Sequence, residues 1–264
     1  MQEVARDQLA GMQRLLEVMR ALRDPATGCA WDRAQDSRSL ARYTLEEACE
    51  LIAAIESGDA GALRDELGDL LFQVVFHAQL ASERGEYDFD AVAHAIADKL
   101  QRRHPHVFGG TGQREAADWE RLKAGERAAR GSAGLLDDIP LTLPALSRAA
   151  KLGKRAAGAG FDWPDAGGPR AKLLEELAEV DAAQRGEGNS SVEDELGDLL
   201  LAATSLARHL KVDPETALRR ANARFESRFR AMEALAQARG LALENLGPEG
   251  LDALWNEVKR NIQS

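Results

Sequence analysis

Two groups of acidic residues occur twice along the chain, in one order. Glu46, Glu47 and Glu50 precede Glu66 and Asp69; Glu175, Glu176 and Glu179 precede Glu195 and Asp198. The spacing is kept, since 50 to 66 and 179 to 195 are both 16 residues. The later group of each set lies in the same string, Asp-Glu-Leu-Gly-Asp-Leu-Leu, at 65–71 and 194–200. On a helix, Glu-x-x-Glu and Glu-x-x-Asp each place two carboxylates one turn apart on one face. Two such faces turned together hold four carboxylates in a small volume, which repels itself until a cation neutralises it. Donors that are all oxygen select a hard ion, Mg²⁺ or Mn²⁺. A single Glu-x-x-Glu is most often a solvated helix face. Here the groups interrupt apolar runs, with Leu67, Leu70, Leu71 and Val74 after one and Leu196, Leu199, Leu200 and Ala203 after the other. Carboxylates beside a core stripe are costly without a partner, and the duplication makes accident a poor explanation.

The repeat continues past the carboxylates. Lys99 and Arg103 lie four apart, as do Arg224 and Arg228; Trp119 and Lys123 lie four apart, as do Trp255 and Lys259. Four-residue spacing presents each pair on one helix face. Basic side chains suit phosphate charge, and a Trp offers a flat face to a base. With a carboxylate-bound metal these parts read as a site for a nucleoside polyphosphate. Taken singly, a basic pair is usually solvated and a Trp at helical spacing is usually core. Other chemistries are disfavoured. The five histidines have no zinc-type spacing to cysteine, and Glu-x-x-Asp replaces the Glu-x-x-His of a di-iron bundle. Neither Gly109–Gly112 nor Gly153-Lys154-Arg155 completes a P-loop.

The elements that must position these residues are helices. Ala, Leu, Glu and Arg dominate and aromatic residues are only 5%, a composition that favours helix over strand. Periodicity predicts a helix ending near Leu22, a turn at Asp24–Gly28, and an acidic helix opened by a capping box at Thr44–Glu47. A break at Ser57–Asp59 precedes helices over 62–83 and 88–103, the latter stopped by Pro105. A flexible loop at Gly109–Gly112 and a helix over 114–130 complete the first half. The order then recurs, with helices over 145–157, 169–185, 191–209, 214–239 and 248–262. The loop Phe161-Asp162-Trp163-Pro164 mirrors Ala30-Trp31-Asp32. The expected fold is all-α: two tandem helical bundles at 1–130 and 145–264, joined by a Gly- and Pro-containing linker at 131–144.

The formal charge of −10 argues against a nucleic-acid polymer as partner. No apolar run is long enough to span a membrane, and the charged first 20 residues read as an amphipathic helix, not a signal peptide. Cys29 and Cys49 form no C-x-x-C pair; they read as reduced, buried or half-buried small residues of a cytoplasmic protein. Bundle halves of this kind often pair, so a homodimer is expected.

Longer strings carry a resemblance. They are Arg23-Asp24-Pro25 with Gly28-Cys29-Ala30-Trp31-Asp32, Tyr43–Glu47, Gly68–Phe76, Arg102–Phe108, Gly160–Trp163, and Ala221–Phe225 with Arg228-Phe229. Through them the whole chain resembles the MazG family of tandem-domain nucleoside triphosphate pyrophosphohydrolases, in the all-α NTP pyrophosphatase superfamily. The resemblance implies Mg²⁺-dependent cleavage of NTPs, ATP among them, to NMP and pyrophosphate, as housekeeping of NTP and dNTP pools. It places catalysis in the C-terminal half, with Glu176, Glu179, Glu195 and Asp198 as metal ligands. Lys172, Arg224, Arg228, Trp255 and Lys259 fall on nucleotide-contact positions, and Glu47, Glu50, Glu66 and Asp69 on a second metal site. Two departures, Ala30 where the family often has Pro and Arg224 where it often has Lys, remove no ligand. The alternative is a non-catalytic sensor or scaffold that binds metal and nucleotide without turnover.

Overall fold

The computed structural model describes residues 2–108, 125 and 134–263, with the side chains of 10–108, 125 and 134–261. The expected loop at Gly109–Gly112, Trp119, Lys123 and nearly all of the expected 114–130 helix lie outside the described residues. The chain divides into two units, Met1–Leu122 and Lys123–Ser264, each taken by itself below. Every regular element among the described residues is a helix, so the all-α expectation holds.

The first unit runs α1 (Gln2–Leu22), α2 (Ala30–Ala34), α3 (Ser37–Ser57), α4 (Ala60–Glu83) and α5 (Phe89–Arg103). The capping box lies earlier than expected. Asp36 accepts from the backbone N–H of Arg38 and Ser39 and caps α3, and the Ser39 hydroxyl answers the Asp36 N–H. Thr44 is therefore inside the helix, where its hydroxyl donates back to the Leu40 carbonyl at 3.3 Å. The Asp36–Ser39 signal satisfies orphan N–H groups a full two turns upstream, and the helix extends back to it. Gly58, at φ 72°, ends α3 in the left-handed region, and Asp59 caps α4. Helix α4 packs against α1, α3 and α5. Its buried face carries Val75, Phe76 and Leu80, which close with Met19 and Leu40 into one core. Arg23 ties the rim together by donating to the carbonyls of Asp32 and Gln35 and pairing with Glu83.

The second unit runs α6 (Ala145–Gly158), α7 (Gly167–Gln184), α8 (Val192–His209), α9 (Pro214–Ala238), a 3-10 turn (Leu243–Asn245) and α10 (Pro248–Gln263). Of the expected linker, residues 134–144 form turns held on this unit. Ile139 is buried, and Arg155 donates to the Leu135 carbonyl and pairs with Asp138. Helices α7 and α8 form a hairpin, α6 packs on α8, and α9 packs on α10, α6 and α8. The apolar core of this unit lies between α9 and α10, built on Met232, Ala236, Leu254 and Val258.

Three further sequence expectations need correction. Cys29 and Cys49 are exposed: Cys29 stands at the N-terminus of α2, where its N–H is tied to the Leu22 carbonyl. The apolar stripe beside the carboxylates is only partly core, since Leu67, Val74, Leu196 and Leu200 are exposed. The Ala30–Asp32 and Phe161–Trp163 segments also differ, the first being helical and the second irregular.

Candidate functional site

The two strings that repeat in sequence form equivalent hairpins. In the second unit, Ser191 and Asp194 build a capping box that starts α8 one turn before Glu195. Lys172, Glu175, Glu176 and Glu179 follow one another along α7. Packing α7 on α8 brings carboxylate oxygens of Glu176, Glu179 and Glu195 within 4.8 Å of one another. Glu176 is buried, at 4% exposure. One of its oxygens, Oε1, pairs with Lys172 Nζ at 2.6 Å, and Lys172 also pairs with Glu175 at 2.7 Å. The other, Oε2, is buried and takes no hydrogen bond while Glu179 is ionised. Glu179 is held above the usual carboxylate range, first by a bond to Glu176 that exists only when one of the two carries a proton, then by burial. Asp198 is exposed and faces the same cavity as Glu176.

In the first unit Glu47, Glu66 and Asp69 converge within 4.8 Å. Glu50 is exposed, but near enough for its charge to act on Glu47 and Glu66. Aligning the two strings places Tyr43 where the second unit has Lys172. Among the described residues none of these four carboxylates forms an ion pair, and Glu66 Oε2 is buried without a partner. Burial raises Glu47, and then the charges of Asp69 and Glu50; burial raises Glu66, and then Glu50 and Asp69.

A pH dependence follows. Raised folded pKa values mean that the folded chain binds protons more readily than the unfolded one above the ordinary Glu range. Stability then falls as pH rises through that window and grows as pH is lowered through it. In chelator, the melting temperature should rise from about pH 7 to about pH 5, and Mg²⁺ at neutral pH should replace the effect. A melting temperature that drops steadily over that range would contradict the clustering.

Beside the second cluster lies a cavity of about 520 Å³. Small residues of α6 (Ala149, Ala150, Gly153, Ala156) form one wall, and Ala202, Thr204 and Ser205 of α8 another. Phe161, Asp162, Trp163 and Arg208 also line it, and Lys172, Glu176 and Asp198 supply its charge. Asp162 accepts both Arg208 Nη groups, at 2.8 and 2.5 Å, which holds its carboxyl below the usual range. His209 Nε2 lies 3.2 Å from the Trp163 carbonyl, and its ring sits edge-on to the indole. The indole covers Gly168 in the first turn of α7, where a methyl group would fall 2.1 Å from the ring. Gly168→Ala should therefore push Trp163 from its seat and destabilise the protein by about 1–3 kcal/mol. Denaturant titration checks it, and an unchanged midpoint would show the indole is not fixed there.

The remaining expected contacts lie elsewhere in the unit. Arg224 and Arg228 are on α9, Trp255 and Lys259 on α10, and none lines the cavity. Trp255 packs on the α9–α10 core and against Phe225, with ring centroids 5.4 Å apart. Four-residue spacing fixed a shared helix face but not which neighbour that face meets. Sequence reasoning missed Arg208, Gly168 and the small residues of α6. The Phe161–Trp163 string was the one signal that pointed to them.

Repeated helical hairpins carrying converging carboxylates beside a cavity define an all-α acidic-site class. The MazG nucleotide pyrophosphohydrolase domain matches residues 35–108 and 169–232, spanning both hairpins. The chain is 47% identical over 255 residues to a nucleoside triphosphate pyrophosphohydrolase of Escherichia coli K12, covering 94% of this chain and 97% of that protein. It is 43% identical over 247 residues to the nucleoside triphosphate pyrophosphohydrolase/pyrophosphatase MazG of Thermotoga maritima, covering 94% and 95%. The chain belongs to the MazG family.

Proposed function

We propose that this protein is an enzyme that hydrolyses nucleoside triphosphates between the α and β phosphates, releasing a nucleoside monophosphate and pyrophosphate. Glu176, Glu179, Glu195 and Asp198 would hold Mg²⁺, with Mn²⁺ as a substitute. The observation that carries the reading is Glu176 Oε2, a buried carboxylate oxygen without a hydrogen bond while Glu179 is ionised, set among converging carboxylates. Such an atom is costly unless a cation meets it. The donor set is all oxygen and suits Mg²⁺. The names of the two relatives support the same reaction.

When bound, the ion supplies positive charge to phosphate oxygens and acidity to an attacking water. The chain's own residues do the rest. The α7–α8 hairpin fixes the carboxylates in one place before substrate arrives, which lowers the cost of assembling the site. Lys172 now pairs with Glu175 and Glu176; with the carboxylates neutralised otherwise, its ammonium is free to turn to a phosphate. Arg224, Arg228 and Lys259 remain proposed phosphate contacts and Trp255 a proposed nucleotide contact, outside the cavity lining. Exposed Leu196, Leu200, Phe225 and Phe229 support pairing with a second copy as a homodimer. Among the described residues no helix is long and apolar enough to cross a membrane. A cytoplasmic place and a role in limiting NTP and dNTP pools belong to the same proposal.

The test is a panel of ribo- and deoxynucleoside triphosphates with Mg²⁺, with products resolved as NMP plus pyrophosphate or NDP plus phosphate. Activity should vanish in excess chelator and return with Mg²⁺ or Mn²⁺. Full turnover in chelator would overturn the metal assignment. Metal-dependent binding without product would leave a sensor in place of an enzyme.

A further inference from the structure

The two acidic centres differ in one charge. Lys172 stands one turn before Glu176 on α7, and the aligned position in the first unit, one turn before Glu47, is Tyr43. Lys172 Nζ lies 2.6 Å from Glu176 Oε1 and 2.7 Å from Glu175 Oε1. The two partners are unlike, since the Glu176 side chain is 5% exposed and that of Glu175 is 57% exposed. The tie to Glu175 is a surface pair of little worth. The tie to Glu176 matters more, because a buried carboxylate that converges with Glu179 and Glu195 needs a positive partner. Lys172 itself is half-buried, on a flexible stem that can swing to water. In the first unit the Tyr43 hydroxyl instead accepts from Arg42 at 2.5 Å. Beyond its burial, Glu47 is raised by Asp69, Glu50, Glu66 and Glu46, all charges of its own sign.

We propose that Lys172 is the built-in counter-ion of the second acidic centre, and that its displacement ties the binding of a divalent ion there to the binding of a phosphate group. The inference rests on the metal–nucleotide reading above; it adds a coupling between the two ligands and the residue that transmits it. In the metal-free chain the ammonium neutralises Glu176 through Oε1. A divalent ion on Glu176 shares one carboxyl group with that ammonium. Two cations so close repel strongly in a partly dry site, so Lys172 gives up Glu176. The ion alone therefore binds weakly: an ion pair breaks, and a released ammonium is left beside it. A phosphate group reverses the penalty, since its oxygens accept from the ammonium and offset its charge. Each ligand then strengthens the other by the same factor, as linkage requires. A lysine that only touches phosphate from outside acts differently. Its removal weakens the anion and leaves the bare ion unaffected. Removal of a counter-ion makes the bare ion bind more tightly.

The experiment follows Mn²⁺ uptake by electron paramagnetic resonance in the full chain, with Glu66→Gln in every protein to weaken uptake by the first centre. Lys172→Met, similar in length but uncharged, and Lys172→Gln are compared with the chain that keeps Lys172. Each is titrated without anion and with inorganic tripolyphosphate, after correction for Mn²⁺ held by the anion in a protein-free control. Circular dichroism checks folding. The expected result is a bare-ion affinity raised at least about fivefold in both variants, and an anion effect on Mn²⁺ that falls from at least about tenfold to under about threefold. Melting temperatures give a second reading. Loss of the counter-ion should lower the melting temperature in chelator by about 3 °C or more, and saturating Mg²⁺ should remove the difference, because the filled centre no longer uses Lys172. If Lys172→Met does not fold, Lys172→Gln decides alone. A bare Mn²⁺ affinity that is unchanged or reduced in the folded variants overturns the counter-ion role and leaves the metal reading intact. So does an anion effect that survives without Lys172. Absence of Mn²⁺ uptake by the chain that keeps Lys172, with and without anion, overturns the metal reading and this one with it.

Discussion

Glu179→Ala should lower NTP hydrolysis by about a thousandfold, equivalent to ~4 kcal/mol of transition-state stabilisation, while Glu50→Ala leaves turnover within about twofold. The two residues hold the same place in their hairpins, so the comparison separates an acidic centre that turns over substrate from one that does not. The carboxylate of Glu179 lies within 4.8 Å of those of Glu176 and Glu195, and its loss leaves a metal with too few anionic donors. The substitution should not unfold the protein. Glu179 is exposed, and removing one charge from a self-repelling group relieves strain in the metal-free state. A melting temperature equal to or above that of the unaltered chain, measured in chelator, is the matching expectation. Asp198→Ala should behave in the same way. If the Glu50 variant loses activity and the Glu179 variant retains it, the roles of the two units are reversed.

The sequence made the helices and the carboxylate pairs legible because both depend on local spacing. Glu-x-x-Glu and Glu-x-x-Asp fix a shared face without reference to the rest of the chain, and the duplicated string fixed which helices form the hairpin. The start of α3 was misplaced because two capping signals compete there. Thr44–Glu47 fits the pattern, but Asp36–Ser39 fits it two turns earlier, and the helix takes every turn it can close. Lys172 could be read as a basic residue near the acidic group, but not as the partner of both Glu175 and Glu176, which depends on side-chain reach along α7. The places of Trp255 and Arg224 in the unit were not legible at all. Their faces are set by how α9 and α10 pack, and that is decided by Met232, Ala236, Leu254 and Val258, which spacing alone does not rank. The cavity was equally hidden. Empty space is the absence of side-chain volume from two helices distant in sequence, and Ala or Gly in a helix reads first as propensity.

Phe76→Ala should destabilise the protein by about 3–5 kcal/mol, the range for deleting a buried aromatic ring that neighbours cannot replace. Phe76 is fully buried and sits between Met19, Leu40, Val75 and Leu80. Phe72 meets it edge-on, with centroids 5.6 Å apart, and the Arg23 guanidinium lies 5.7 Å from its ring centroid. Arg23 is itself tied to Glu83 and to the carbonyls of Asp32 and Gln35. The ring therefore supports the first unit's apolar core and the ion-paired rim above it, and neither can collapse far into the vacated volume. The aligned residue in the second unit, Ser205, lines an open cavity, so Ser205→Ala removes no packing and should change stability by less than about 1 kcal/mol. Two substitutions at one repeated position should thus differ by several kcal/mol, because one unit uses that position as core and the other leaves it as space. Denaturant midpoints with slopes measure both. A Phe76→Ala loss under about 1 kcal/mol would mean that the first unit does not depend on this packing.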